Sequence, residues 1–176
     1  MSPLLSLVVL ALAAQHPPVI VPAPQPIYPT PKYRLTARPA PLPLSGGPLR
    51  AFAENDRAVH FVDQDSVRRT GDRARLNQYT VLHPGAPSEG RVIVQWMTEV
   101  HIDCAGRTVQ SVRLSAYDEA GDEVLWLPAD PAEPVRPRTV QADLHTEVCG
   151  SPVSAPHAPI TGWREALTFG RARLGG

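Results

Sequence analysis

From Val92 to Cys104, every second residue is one that a strand can bury. Val92, Val94, Trp96, Thr98, Val100, Ile102 and Cys104 take one side; Ile93, Gln95, Met97, Glu99, His101 and Asp103 take the other. Side chains alternate across a strand, so this run predicts one long strand with a single buried face.

The flanking segments read as its partners. Arg57 to Val62 is a short strand closed by Asp63-Gln64-Asp65-Ser66, a turn-rich set. Val67 to Thr70 and Arg73 to His83 flank Gly71-Asp72, a two-residue hairpin signal. Between Ala74, Leu76 and Tyr79, Val81 the apolar phase shifts, which predicts a bulge near Asn77-Gln78. Pro84 to Gly90 reads as a loop. After a turn at Ala105-Gly106, Thr108 to Tyr117 returns with Gln110, Val112, Leu114 and Ala116 on one face, and Asp118 to Asp122 turns into Val124 to Leu127. Prolines at 128, 131, 134 and 137 stop regular structure. Thr139 to Cys149 fits a helix, with Thr139 as N-cap, Gly150 where a C′ glycine belongs, and Val140, Leu144 and Val148 in one stripe. The fold class is α+β: an antiparallel meander of about six strands with one C-terminal helix.

The ends are of another kind. Leu4 to Ala14 is an apolar run with an Ala11-Leu12-Ala13 cleavage pattern, so residues 1–14 read as a signal peptide. No Cys stands near that site, and a lipid anchor is not expected. No apolar run approaches the roughly 18–20 residues of a membrane span. The mature protein is expected to be exported and soluble in an oxidising compartment, periplasmic or at the cell surface. Residues 15–49 hold eleven of the chain's 21 prolines, favouring an extended polyproline arm or spacer in which Tyr28 and Tyr33 lie among basic residues. Ser45-Gly46-Gly47 reads as a flexible joint. Residues 50–150 form the folding unit, and 151–176 a loosely docked extension with about two helical turns around Trp163 to Phe169.

The chain is neutral overall, with 17 Lys plus Arg against 17 Asp plus Glu, which excludes a generally basic nucleic-acid binder. The charge is nevertheless partitioned. The unit carries 11 Arg against 16 acids, while Lys32, Arg34 and Arg38 make one flank basic and Arg164, Arg171 and Arg173 the other. Such flanks fold back on the domain or reach an anionic surface.

Cys104 and Cys149 are the only cysteines. In an exported chain an even pair reads as a disulfide. The rivals are a Cys₂His₂ metal site with His101 and His145, or a thiol nucleophile with either His as base. The metal reading needs a kink, because His101 and Cys104 point to opposite faces of a regular strand. Arg68, Arg69, Arg73 and Arg75 cluster around the Gly71-Asp72 hairpin as a solvated face or an anion or partner patch. Asp118, Glu119, Asp122 and Glu123 read as a charged turn rather than a Ca²⁺ loop, lacking EF-hand spacing. No G-x-S-x-G, H-E-x-x-H or P-loop is present. A non-enzymatic protein without a cofactor is expected.

Val59-His-Phe-Val-Asp63-Gln-Asp-Ser66-Val-Arg-Arg-Thr-Gly71 resembles the opening of the surface-adhesin protein E family, where a strand leads to an Asp-x-x-Ser-Ile/Val-x-Arg-x-Gly hairpin. Val100-His-Ile-Asp103-Cys104-Ala-Gly-Arg-Thr108 and Ala116-Tyr117-Asp118 with Gly121 are similar to its second block, and Cys149 to its closing cysteine. The resemblance spans about Arg50 to Gly150. It implies an antiparallel sheet tied to a C-terminal helix by a Cys104–Cys149 disulfide, in an exported cell-envelope protein of Gram-negative bacteria. Family members that bind host matrix proteins imply an envelope or extracellular protein or glycan as partner. Exposed sheet edges also permit a homodimer. A structural spacer working through its proline-rich arm is the remaining reading.

Overall fold

The computed structural model describes residues 40–150 and 158–175. The expected signal peptide and most of the proline-rich segment lie outside them. Among the described residues there are nine strands in one antiparallel sheet, and two helices. The strands are β1 (Pro48–Glu54), β2 (Ala58–Asp63), β3 (Arg68–Thr70), β4 (Arg73–Ser88), β5 (Arg91–Asp103), β6 (Thr108–Tyr117), β7 (Glu123–Leu127), β8 (Glu133–Pro134) and β9 (Ile160–Thr161). The helices are α1 (Val140–Cys149) and α2 (Gly162–Leu174). The sheet order is β7-β6-β5-β4-β2-β1-β9, with β3 paired to β4 and β8 to β6. The α+β meander stands; the strand number rises because β1 precedes the first expected strand while β8 and β9 are two-residue pairings with no sequence signature.

The long strand is where expected, but it is buried on both faces. Val100 and Ile102 lie in a core under α1 with Leu76 and Leu144, whereas Met97 lies in a second core under α2 with Phe61, Tyr79 and Leu167. Ile93, Gln95 and Glu99, assigned to an open face, are also buried. The two helices cover diagonally opposite parts of the sheet. That arrangement also explains the phase shift in β4: Ala74 and Leu76 face the α1 core, Tyr79 and Val81 the α2 core. Pairing with β5 runs without interruption through Asn77 and Gln78, so no bulge lies there. The irregularity falls instead between Val81 and Ala86, across the cis His83–Pro84 bond. Pro84 to Ser88 is strand rather than loop, and a two-residue turn at Glu89-Gly90, both at positive φ, joins β4 to β5. Gly71, at φ +56°, supplies the expected turn between β3 and β4.

A bulge does occur in β6. Arg113 pairs with Glu99 and Ser111 with Val100, leaving Val112 as the extra residue. Gln110 and Leu114 therefore fall on opposite faces, not on the one face that plain alternation assigns.

The segments outside 50–150 are part of the core. Leu42 and Leu49 are buried, the Leu42 N–H bonds Ser115 Oγ at 3.1 Å, and the Tyr117 hydroxyl donates to the Leu42 carbonyl. Ser45 and Gly47 accept backbone bonds from Trp163 and Gly162, both at 2.9 Å, so this stretch is a ledge for the tail rather than a joint. The tail is firmly seated. Ile160 pairs with Leu49, Ala166, Leu167 and Gly170 of α2 are buried, and the Tyr79 hydroxyl reaches the Trp163 carbonyl at 3.2 Å. Its basic residues do fold back on the acidic domain: Arg171 pairs with Glu119 and Arg173 with Glu54, each at 2.6 Å.

Helix α1 begins where the sequence places it. Thr139 Oγ1 accepts the Ala142 N–H at 3.2 Å. Gly150 ends it in extended backbone rather than a left-handed turn; a side chain there would meet the Thr146 carbonyl at 2.6 Å. Leu144 fills the core, and an Arg50–Glu147 ion pair ties α1 to β1.

Candidate functional site

Cys104 and Cys149 are bonded to each other, with Cα atoms 5.5 Å apart, and no free cysteine exists. Both sulfurs are consumed, so the thiol and Cys₂His₂ metal readings are overturned. His145, buried beside the bridge, places Nε2 3.3 Å from the Cys104 carbonyl; His101 lies on the other face of β5, with Nε2 3.6 Å from Glu99.

The motif acids and hydroxyls are structural. Asp63 caps the single helical turn Gln64–Ser66, its carboxylate accepting the Asp65 N–H at 3.2 Å. Ser66 Oγ donates to the Asp63 carbonyl at 2.6 Å and accepts the Asn77 N–H at 2.8 Å, locking that turn to β4. Asp103 accepts the Gly106 N–H at 2.7 Å. Asp118 closes its own turn by accepting the N–H groups of Ala120 and Asp122, and pairs with Arg91. The Arg91 hydrogen bond holds its carboxyl below the usual range.

The arginine cluster divides. In β3, Arg69 pairs with Ala74 and reaches toward α1, donating to the Val148 carbonyl at 3.4 Å. Arg68 lies opposite Arg75, Arg75 opposite His101, and His101 opposite Gln110. Directly opposed residues share a face, so these four strands present one transverse row. A second row runs Thr70, Arg73, Asp103, Thr108. Together they line a shallow pocket of about 520 Å³ on the half of the sheet that α2 leaves bare. At its inner edge Glu99, 7 % exposed, holds Arg75 at 2.9 Å and Arg113 at 3.1 Å. Arg113 also donates to the Ala40 carbonyl at 3.1 Å, so residue 40 lies against this edge. Sequence reasoning placed all four arginines together because a hairpin brings them near; the strand period sends Arg69 away. It missed Glu99 and Gln110, whose relevance comes only from the cross-strand register.

Helix α1 likewise covers only part of the other face. Beyond its first turn, Trp96, Gln78, Thr98 and Leu114 line a groove of about 640 Å³ that extends to the Asn55–Arg57 turn.

A sheet stapled to its helix by one disulfide, with polar surface on the uncovered half of each face, defines a small α+β domain. A family model described as surface-adhesin protein E matches residues 48–150. The chain belongs to the surface-adhesin protein E family. Among solved structures, it is similar to Haemophilus influenzae protein E in crystal form II, at 17 % identity over 65 % of this chain and 96 % of that one, with a TM-score of 0.46. Protein E from non-typeable Haemophilus influenzae is similar at 16 % identity, over 64 % and 82 % of the two chains, with a TM-score of 0.41. No curated protein matches the chain. No helix among the described residues is long and apolar enough to cross a membrane.

Proposed function

We propose that this is an exported, non-enzymatic adhesin of a Gram-negative cell envelope, which binds an acidic segment of an extracellular protein through the bare half-face carrying Arg68, Arg73, Arg75 and His101. The observation that carries this reading is the transverse row: arginines from two adjacent strands and an imidazole from a third meet on one open surface, and the fixed acid Glu99 is already shared by Arg75 and Arg113. An acidic partner would find several donors in a fixed array, and charge complementarity of this kind speeds encounter and selects partner. Family membership supports the adhesin role. The apolar run at Leu4–Ala14 supports export, and the disulfide fits an oxidising compartment. Residues 15–39 would serve as the spacer.

The test is binding of the mature chain to plates coated with basement-membrane extract, at low and physiological salt. Replacing Arg68, Arg73 and Arg75 with Ser is expected to lower binding at least about fivefold and to flatten its salt dependence. Unchanged binding by that variant would remove the arginine face from the reading. Loss of binding on deleting residues 15–39 instead would make the proline-rich arm the adhesive element and the domain a structural spacer.

A further inference from the structure

The groove on the opposite face has a chemistry of its own. It lies on the side of the sheet away from the arginine rows, and its floor is the cross-strand row His60, Thr80, Trp96 with the adjoining Gln78, Thr98 and Leu114. His60 is 7 % exposed. The Gln78 side-chain amide lies 3.3 Å from its Nδ1, and Thr80 Oγ1 lies 3.1 Å from the same atom. An amide nitrogen can only donate, so Nδ1 is the acceptor. Burial lowers the ring's pKa to about 4, leaving it neutral at physiological pH with its single proton on Nε2. That Nε2 is buried and has no hydrogen-bond partner. A buried N–H without an acceptor costs free energy, and native structures rarely leave one unmatched. His60 lines the groove, but its Nε2 has no surface open to it, so an acceptor reaches that atom only by turning the ring.

We propose that this groove is a binding site for a neutral saccharide. The remaining lining fits that class. Trp96 supplies a flat apolar surface against which the C–H face of a sugar ring can pack, while Gln78, Thr98, Ser111 and Gln141 offer amides and hydroxyls that both donate and accept, matching sugar hydroxyls. Charge is nearly balanced, with Asp56 and Arg57 at one rim, which disfavours an anionic ligand. An extended peptide gains most of its affinity by adding to an unpaired strand edge. Here β2, β4, β5 and β6 are all interior strands with a neighbour on each side, so the groove offers side chains and no ladder. Polyproline peptides use several aromatic rings, and the groove has Trp96 and the His60 imidazole.

The test is two-dimensional NMR of the isotopically labelled mature chain, reading the indole N–H of Trp96 during titration with tri-N-acetylchitotriose and with maltotriose. Decaproline and a heparin hexasaccharide serve as the competing classes. At least one neutral trisaccharide is expected to move the Trp96 signal with a Kd of about 1 mM or tighter, while Trp126 and Trp163 stay put. Trp96→Ala, followed through the backbone amides of Gln78, Thr98 and Ser111, is expected to weaken binding at least about tenfold, and Ser111→Trp, which narrows the groove from β6, should do the same. Silence toward both neutral sugars at about 20 mM, or binding that survives Ser111→Trp, would overturn the proposal. So would a Trp96 response to decaproline or the heparin fragment in place of the neutral sugars.

Discussion

Leu167→Ala probes the feature in which structure and sequence reading differ most, the seating of the tail. Leu167 is 6 % exposed and lies in the core with Phe61, Tyr79, Val81 and Met97. A Leu-to-Ala change in a core costs the lost transfer energy plus a cavity term, about 2–5 kcal/mol in general. Helix α2 has an open outer side and can settle inward, so the lower half of that range applies, about 2–3 kcal/mol. For a domain of this size that corresponds to a fall in Tm of about 8–12 °C. The assay is urea unfolding at neutral pH with the disulfide intact, followed by far-ultraviolet circular dichroism and by tryptophan fluorescence. Coincident transitions and a lower midpoint at unchanged slope are expected. Arg173→Ala, which removes the exposed pair with Glu54, provides the control and should leave the urea midpoint nearly unchanged. The reasoning fails if Leu167→Ala matches that control, or if the two probes separate because the tail melts alone.

Three further outcomes follow from the geometry. Replacing both Cys104 and Cys149 with Ala reopens a loop of sequence separation 45 and should cost about 4 kcal/mol in the chain-entropy model, readable as a lower urea midpoint that reducing agent no longer shifts. His60 binds a proton in the unfolded chain below its ordinary value of 6.5 but in the folded protein only near 4, so stability is retained above pH 6.5 and falls as pH drops through that window. The loss between pH 7 and 5 should be about 2 kcal/mol, and a His60→Gln variant that keeps the full slope would refute the assignment. A Cβ at Gly170 would meet Val81 Cγ1 at 2.6 Å, so Gly170→Ala should lower stability by about 1 kcal/mol despite its better helix propensity. In a Val81→Ala background the cost should shrink without vanishing, because Val81 Cβ itself stands 2.8 Å from the same point, and a cycle with no coupling would rule out the contact.

Local chemistry made much of this protein legible without coordinates. Alternation located β5, Gly71-Asp72 located a hairpin, and Thr139 located the start of α1, because each signal depends on a few adjacent residues. The cysteine pairing followed from compartment and parity, and the ordered motifs pointed to the family. Alternation alone, however, is silent on what lies above each face. Met97 and Glu99 fall on the face that alternation leaves to solvent, yet Met97 shares a core with Leu42 and Leu167, and Glu99 holds Arg113.

The candidate surfaces belong wholly to that second level. Arg68, Arg75, His101 and Gln110 are neighbours through the register of β3, β4, β5 and β6, a relation between residues up to 42 positions apart that one bulge at Val112 resets. Which half of each face stays open depends on where two helices land. The sequence by itself determined six of the strands, the Gly71-Asp72 turn, the staple and the family, since those rest on side-chain period, backbone preference and redox chemistry. Only the tertiary structure decided which side chains meet and which remain exposed, because pairing register and helix placement are set by long-range packing that no local window contains.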